Sequence, residues 1–150
     1  MIYETNSLSD TLKLGREFAR QVQPGDVCAL IGGLGAGKTA FVQGVAEGLG
    51  ITEPVSSPTF TIMQVYEGGR MPLYHFDVYR IAAIEEMDEI GYEDCFYGSG
   101  ITIVEWADLI TEIMPGAYRI ITIEQDLEKG FDYRRITINW NGERHENIGD

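Results

Sequence analysis

Eight consecutive residues, Gly32-Gly33-Leu34-Gly35-Ala36-Gly37-Lys38-Thr39, constrain this chain more than any other feature. They fit the pattern G-x-x-x-x-G-K-[ST]. Its chemistry explains the residue types. Successive backbone N–H groups must point inward at phosphate oxygens, which needs close approach and unusual dihedrals, and glycine permits both. The helix that follows adds the positive end of its dipole. Lys38 is then placed to neutralise β- and γ-phosphates, and the Thr39 hydroxyl to ligate magnesium.

The flanking sequence agrees with that reading. Val27–Ile31 is a short continuous apolar run, as expected of a strand buried on both faces in a parallel sheet. Lys38–Leu49 carries Phe41, Val45 and Leu49 on one helical stripe, with Gly50 near its end. Strand, glycine loop and helix in that order predict binding of a nucleoside triphosphate with Mg²⁺. No N-K-x-D guanine-reading motif occurs, so ATP is expected rather than GTP.

The remaining elements predict an α/β fold, a three-layer α/β/α domain of the P-loop NTPase type. Its mixed sheet has a parallel core and antiparallel additions. Ser7-Leu8-Ser9-Asp10 resembles a capping box. Leu8, Leu12, Gly15, Ala19 and Val22 then keep helical spacing until Pro24-Gly25-Asp26 breaks it. Phe60–Tyr66 and Leu73–Tyr79 read as a hairpin around Gly68-Gly69-Arg70. Ala82–Ile90 reads as an acidic helix, Ile101–Glu105 as a buried strand, and Ala107–Met114 as a short helix stopped by Pro115-Gly116. Tyr118–Glu124 and Arg134–Trp140 alternate as strands with one wet face. At 150 residues the chain is expected to form one domain, 1–150.

Phosphoryl transfer needs an acid at the tip of a neighbouring strand to hold the metal shell. Two residues qualify: Glu105, which ends Ile101-Thr102-Ile103-Val104-Glu105, and Asp77, which ends Tyr74-His75-Phe76-Asp77. Either carboxylate fits. His75, beside Asp77, reads as a packed or surface residue. Pro54-Val55-Ser56-Ser57-Pro58-Thr59 lies where such proteins place a segment that senses the γ-phosphate, with Ser57 or Thr59 as the contacting hydroxyl.

Composition excludes several classes. The net charge of −13, with lysines only at 13, 38 and 129, repels phosphate backbones. Direct binding to DNA or tRNA by charge alone is therefore not expected. No apolar run is long enough to span a membrane, and Met1-Ile2-Tyr3-Glu4 lacks the layout of a signal peptide. A cytoplasmic protein is the expectation. Cys28 and Cys95 form no CxxC, and Cys28 sits in an apolar run as a buried thiol.

Taken together, Leu34-Gly35-Ala36-Gly37-Lys38-Thr39, Ser57-Pro58-Thr59-Phe60-Thr61, Tyr74-His75-Phe76-Asp77-Val78-Tyr79-Arg80 and Val104-Glu105-Trp106 resemble the TsaE (YjeE) family of small bacterial P-loop ATPases. The similarity runs from about Ser7 to Trp140. It implies an ATPase that supports threonylcarbamoyladenosine modification of tRNA beside the anticodon, with TsaD and TsaB as partners and contact with tRNA only through them. It implies that Gly33, Leu34, Gly35, Ala36, Gly37, Lys38, Thr39 and Ala40 hold ATP. Thr39 and Glu105 would hold Mg²⁺, Asp77 and Thr59 would line the γ-phosphate side, and Arg134 would match a basic position near the nucleotide. Trp106 would pack beside the site. The family usually carries an acid where this chain has Gly33; phosphate binding by the amides does not need it. Two other readings fit the same loop: a small-molecule kinase, and a binding module switched by ATP through Thr52–Thr59.

Overall fold

A computed structural model describes residues 1–33 and 35–142. In chain order the elements are β1 (Ile2–Thr5), α1 (Leu8–Phe18), β2 (Val27–Gly32), α2 (Lys38–Gly48), β3 (Met63–Tyr66) and β4 (Leu73–Asp77). Then follow α3 (Glu85–Glu89), α4 (Tyr92–Phe96), β5 (Ile101–Glu105), a 3₁₀ segment (Ala107–Ile113), β6 (Tyr118–Gln125) and β7 (Arg134–Asn141). The strands form one sheet in the order β1-β7-β6-β2-β5-β4-β3. β6, β2, β5 and β4 run parallel, while β3, β7 and β1 join antiparallel at the two sides. The expected mixed sheet with a parallel core is the architecture the chain adopts.

Side-chain alternation sorts the sheet residues onto two faces. Leu30, Leu73, Ile101, Ile103, Ile121 and Ile123 face α1 and α2 and pack with Phe18, Phe41 and Val45. Val27, Ala29, Phe76 and Val104 face the other way and pack with Met87, Phe96 and Ile110 from the shorter helical pieces. Both faces of β2 are covered at Val27–Leu30, which accounts for its unbroken apolar sequence. Burial raises the Cys28 thiol to about 12, so it packs as a small apolar group.

α1 and α2 meet at backbone distance. A Cβ on Gly15 would lie 2.5 Å from the Phe41 carbonyl oxygen, and one on Gly44 2.3 Å from that of Leu12. The helix carrying the phosphate loop is thus seated by small residues. Ser7 caps α1 by accepting from the Asp10 amide at 3.0 Å, and Asp10 accepts in return from Asn6 N–H at 3.1 Å. At the other end Arg70, from the β3–β4 turn, donates to the carbonyls of Ala19 and Val22.

Several boundaries differ from the sequence reading. α1 stops at Phe18 although Val22 remains buried. Residues 60–62 are turn, because the Thr61 and Ile62 amides both close on the Pro58 carbonyl, and β3 begins at Met63. β4 stops at Asp77, whose Oδ1 accepts from the Tyr79 amide at 3.1 Å. The acidic helix is confined to Glu85–Glu89, and the helix after Glu105 is 3₁₀ with a kink at Ile110. β1 and α4 carry too little local pattern to be read. β1 takes its register from β7 at the opposite end of the chain, and α4 buries Tyr92, Cys95 and Phe96 among acids and glycines.

Candidate functional site

The parallel order brings the C-terminal ends of β2, β5 and β4 side by side, and the site is built on those three ends. Between Gly32 and Lys38 the chain reverses through Gly35 at φ +78° and Gly37 at φ +102°, a region L side chains rarely adopt. Leu34, counted among the nucleotide-binding residues, lies outside the described residues. Gly37 is the N-cap of α2 and no side chain caps it. The amides of Lys38, Thr39 and Ala40 therefore start the helix without intrahelical acceptors, as an anion site requires. A Cβ on Gly32 would sit 3.0 Å from the Ile123 carbonyl oxygen, so the strand end is held close to β6. At Gly33 nothing lies within 4 Å of such an atom, so that position is open.

Arg134, at the start of β7, reaches the loop from behind. Its Nε donates to the Ala36 carbonyl at 2.7 Å, and Nη2 approaches that of Gly35 at 3.4 Å. Nη1 donates to Phe131 and Tyr133 carbonyls at 3.0 and 2.8 Å. The guanidinium thus joins the β6–β7 loop to the phosphate loop through carbonyl oxygens. Those two loop oxygens are engaged by the guanidinium, and within the loop the Ala36 amide closes on the Gly33 carbonyl at 3.1 Å.

The two strand-end acids are neighbours in register: Asp77 pairs with Glu105 across β4 and β5, and Glu105 with Leu30 across β5 and β2. Each is 5% exposed. Glu105 Oε1 lies 3.0 Å from Lys38 Nζ, and Oε2 lies 2.8 Å from His75 Nε2. Burial alone would raise the Glu105 carboxyl. The hydrogen bonds and attraction of His75 and Lys38 outweigh burial and hold it below the usual carboxylate value. Asp77 faces the other flank. Its Oδ2 is 3.4 Å from the Thr59 hydroxyl, which is 2.7 Å from that of Ser57. Upstream, the segment is anchored by the Val55 amide donating to Gln43 and by Tyr66 bonding both polar backbone atoms of Ser56.

Backbone strain brackets the acids. Trp106, directly after Glu105, has φ +65°, and Ile62, whose carbonyl accepts from the Asp77 amide at 2.8 Å, has φ +67°. For a β-branched residue that conformation is an outlier and belongs where surrounding contacts impose it. The partly exposed Trp106 ring packs against Tyr79, tilted by 42° with centroids 4.8 Å apart, at the edge of the site.

These groups line a cleft of about 810 Å³ walled by the phosphate loop, Ser57, Thr59, Asp77, Tyr79, Glu105 and Trp106. Among the described residues no three His, Cys, Asp or Glu side chains cluster as a resident metal site would. One carboxylate, Glu105, and one hydroxyl, Thr39, fit magnesium instead, which takes few protein ligands and completes its shell from phosphates and water. The structure brings together Lys38, Thr39, Thr59, Asp77 and Glu105. It places Arg134 against the loop's carbonyls and adds His75, which the sequence suggests only as a packed or surface residue. Only its spacing of two residues from Asp77, hence the same strand face, could have signalled that role.

The TsaE family model, described as threonylcarbamoyl adenosine biosynthesis protein TsaE, matches residues 5–136. The tRNA threonylcarbamoyladenosine biosynthesis protein TsaE of Bacillus subtilis (strain 168) is 44% identical over 144 residues, covering 96% of this chain and 88% of that one. Its namesake in Treponema pallidum (strain Nichols) is 45% identical over 111 residues, covering 74% and 82%. The crystal structure of Bacillus subtilis YdiB superposes with a TM-score of 0.81 at 40% identity, covering 99% of this chain and 90% of that one. With the family model spanning most of its length, the phosphate loop and its acidic neighbours belong to a member of the TsaE family.

Proposed function

We propose that this chain is a magnesium-dependent ATPase that serves threonylcarbamoyladenosine modification of tRNA, working in the cytoplasm with TsaD and TsaB. The biosynthetic role rests on the names its relatives carry. The chemistry rests chiefly on one observation: Lys38 of the loop and Glu105 of the adjacent strand end meet at 3.0 Å beside a helix start with no side-chain cap. Loop amides and the α2 N-terminus would hold the β- and γ-phosphates, and Lys38 would neutralise them. Thr39 and Glu105 would hold Mg²⁺, which when bound neutralises charge on the phosphates. Asp77 and Thr59, hydrogen-bonded to each other, would orient the attacking water; its oxygen bonds to the γ-phosphorus as the bridge to the β-phosphate breaks, and Asp77 takes its proton.

A small-molecule kinase needs a place for a second, commonly phosphorylated, substrate. Lys38 is the sole cation among the cleft's described lining residues, which favours water as the acceptor. The acidic surface suits a protein whose partners hold the tRNA. The test is K38A: magnesium-dependent release of phosphate from labelled ATP is lost while the fold is kept. Unchanged hydrolysis would defeat the site, and label passed to a small molecule would restore the kinase. A pull-down with TsaD and TsaB, with and without ATP, tests the partners.

A further inference from the structure

His75 is fully buried on the face of β4 that looks toward α1 and α2, in the same layer as Leu73 and Ile103. Its Nε2–H donates to Glu105 Oε2 at 2.8 Å. Its other nitrogen, Nδ1, is buried and has no hydrogen-bond partner among the described residues. Packing does not explain the choice: a leucine would occupy this layer without stranding a polar atom, and a stranded buried atom costs stability. What the ring supplies and a leucine cannot is the single bond to Glu105.

That bond matters because Lys38 holds the other oxygen of the same carboxylate. When a triphosphate enters, the ammonium must turn toward the phosphates. A carboxylate tied only to Lys38 would be free to rotate about its own side-chain bonds. Tied at Oε2 by a strand neighbour, it stays in place and exposes Oε1 to the cleft that Thr39 also lines. We propose that His75 is a positioning residue for the divalent cation: it fixes Glu105 from behind, so that release of Lys38 turns Oε1 into a preset ligand. The proposal rests on the Mg-ATP reading given above.

The experiment follows Mg²⁺ rather than turnover. Binding of a fluorescent, non-hydrolysable ATP analogue is titrated with Mg²⁺ in the parent, H75L and H75Q. H75L removes the donor at similar volume; the amide of H75Q can place an N–H near the Nε2 position. The Mg²⁺ concentration needed for half-maximal effect is expected to rise about tenfold or more in H75L, the usual cost of losing a ligand's supporting hydrogen bond. Analogue binding without Mg²⁺ should be unchanged, since the loop amides are untouched, and H75Q should recover most of the loss. An H75L protein with the parent's Mg²⁺ dependence overturns the proposal. So does equal damage in H75L and H75Q, which would trace the effect to ring shape. If H75L does not fold, the parent's own His75 resonances decide. In the parent, the His75 ring ¹⁵N resonances should shift when Mg²⁺ joins bound analogue, and resonances that stay fixed refute the link. A parent that binds no analogue defeats the Mg-ATP reading itself, an outcome distinct from intact binding with an indifferent His75.

Discussion

Lys38 Nζ sits 3.0 Å from Glu105 Oε1, so before any ligand enters, the cation suited to phosphate is neutralised by the carboxylate suited to metal. The pair is a product of topology: β2 delivers the loop and β5 lies beside it in parallel register. Each ion replaces for the other a partner that the ligand would bring, which spares the cleft an unpaired charge in a poorly solvated place.

E105Q separates the two roles. Removing the negative charge releases Lys38, so affinity for ATP without Mg²⁺ is expected to rise several-fold, while magnesium-dependent hydrolysis falls by about a hundredfold. Calorimetry in EDTA and a phosphate-release assay check the two halves.

The same carboxylate makes ligand-free stability sensitive to acid. Its folded value lies below its ordinary one near 4.5, so the unfolded chain binds the proton more readily. The resulting stabilisation is fully present above about pH 4.5 and is lost as pH falls through the lower, folded value. Chemical denaturation of the ligand-free protein from pH 6 downward should show that loss, and E105Q should lack this part of it.

Arg134 is expected to act on ATP through loop shape. R134A leaves the Ala36 and Gly35 carbonyls without their donors, and should weaken ATP binding about tenfold, a loss of about 1.4 kcal/mol. It should also speed hydrogen exchange at Gly35–Gly37. R134K should recover little, because one ammonium cannot reach four carbonyls spread over two loops.

Asp77 and Thr59 should matter for the reaction more than for binding. D77N and T59A leave the amide cradle intact, so ATP affinity is expected within about twofold of the parent while hydrolysis drops by about a hundredfold. A matched fall in affinity would move these residues from the attacking side to the binding side.

G44A tests how the loop helix is seated. The added methyl carbon would stand 2.3 Å from the Leu12 carbonyl oxygen, so α1 and α2 must move apart. A loss of about 2–3 kcal/mol in urea unfolding is expected. An exposed glycine such as Gly33, with open space around it, should accept alanine at a fraction of that cost.

The phosphate loop, the strand before it and the helix after it were legible in the linear chain because their determinants are neighbours. Glycines that permit positive φ, a doubly buried apolar run and a helical stripe all act within a few residues. The strand-end acids were legible for a related reason, since a parallel strand that ends in a carboxylate delivers it to the edge where the loops gather. Tertiary structure decided the rest. Whether Glu105 or Asp77 would meet Lys38 depended on strand order, which alternation along a strand does not encode. His75 lies 30 residues from Glu105 and Arg134 lies 98 from Ala36, and only the sheet brings either pair within hydrogen-bond reach. The turn at 60–62, where Ile62 is held at φ +67° against its intrinsic preference, was likewise settled by the Pro58 and Asp77 bonds around it. Local sequence sets what the backbone can do at low cost; the closed sheet sets which side chains are made to face one another.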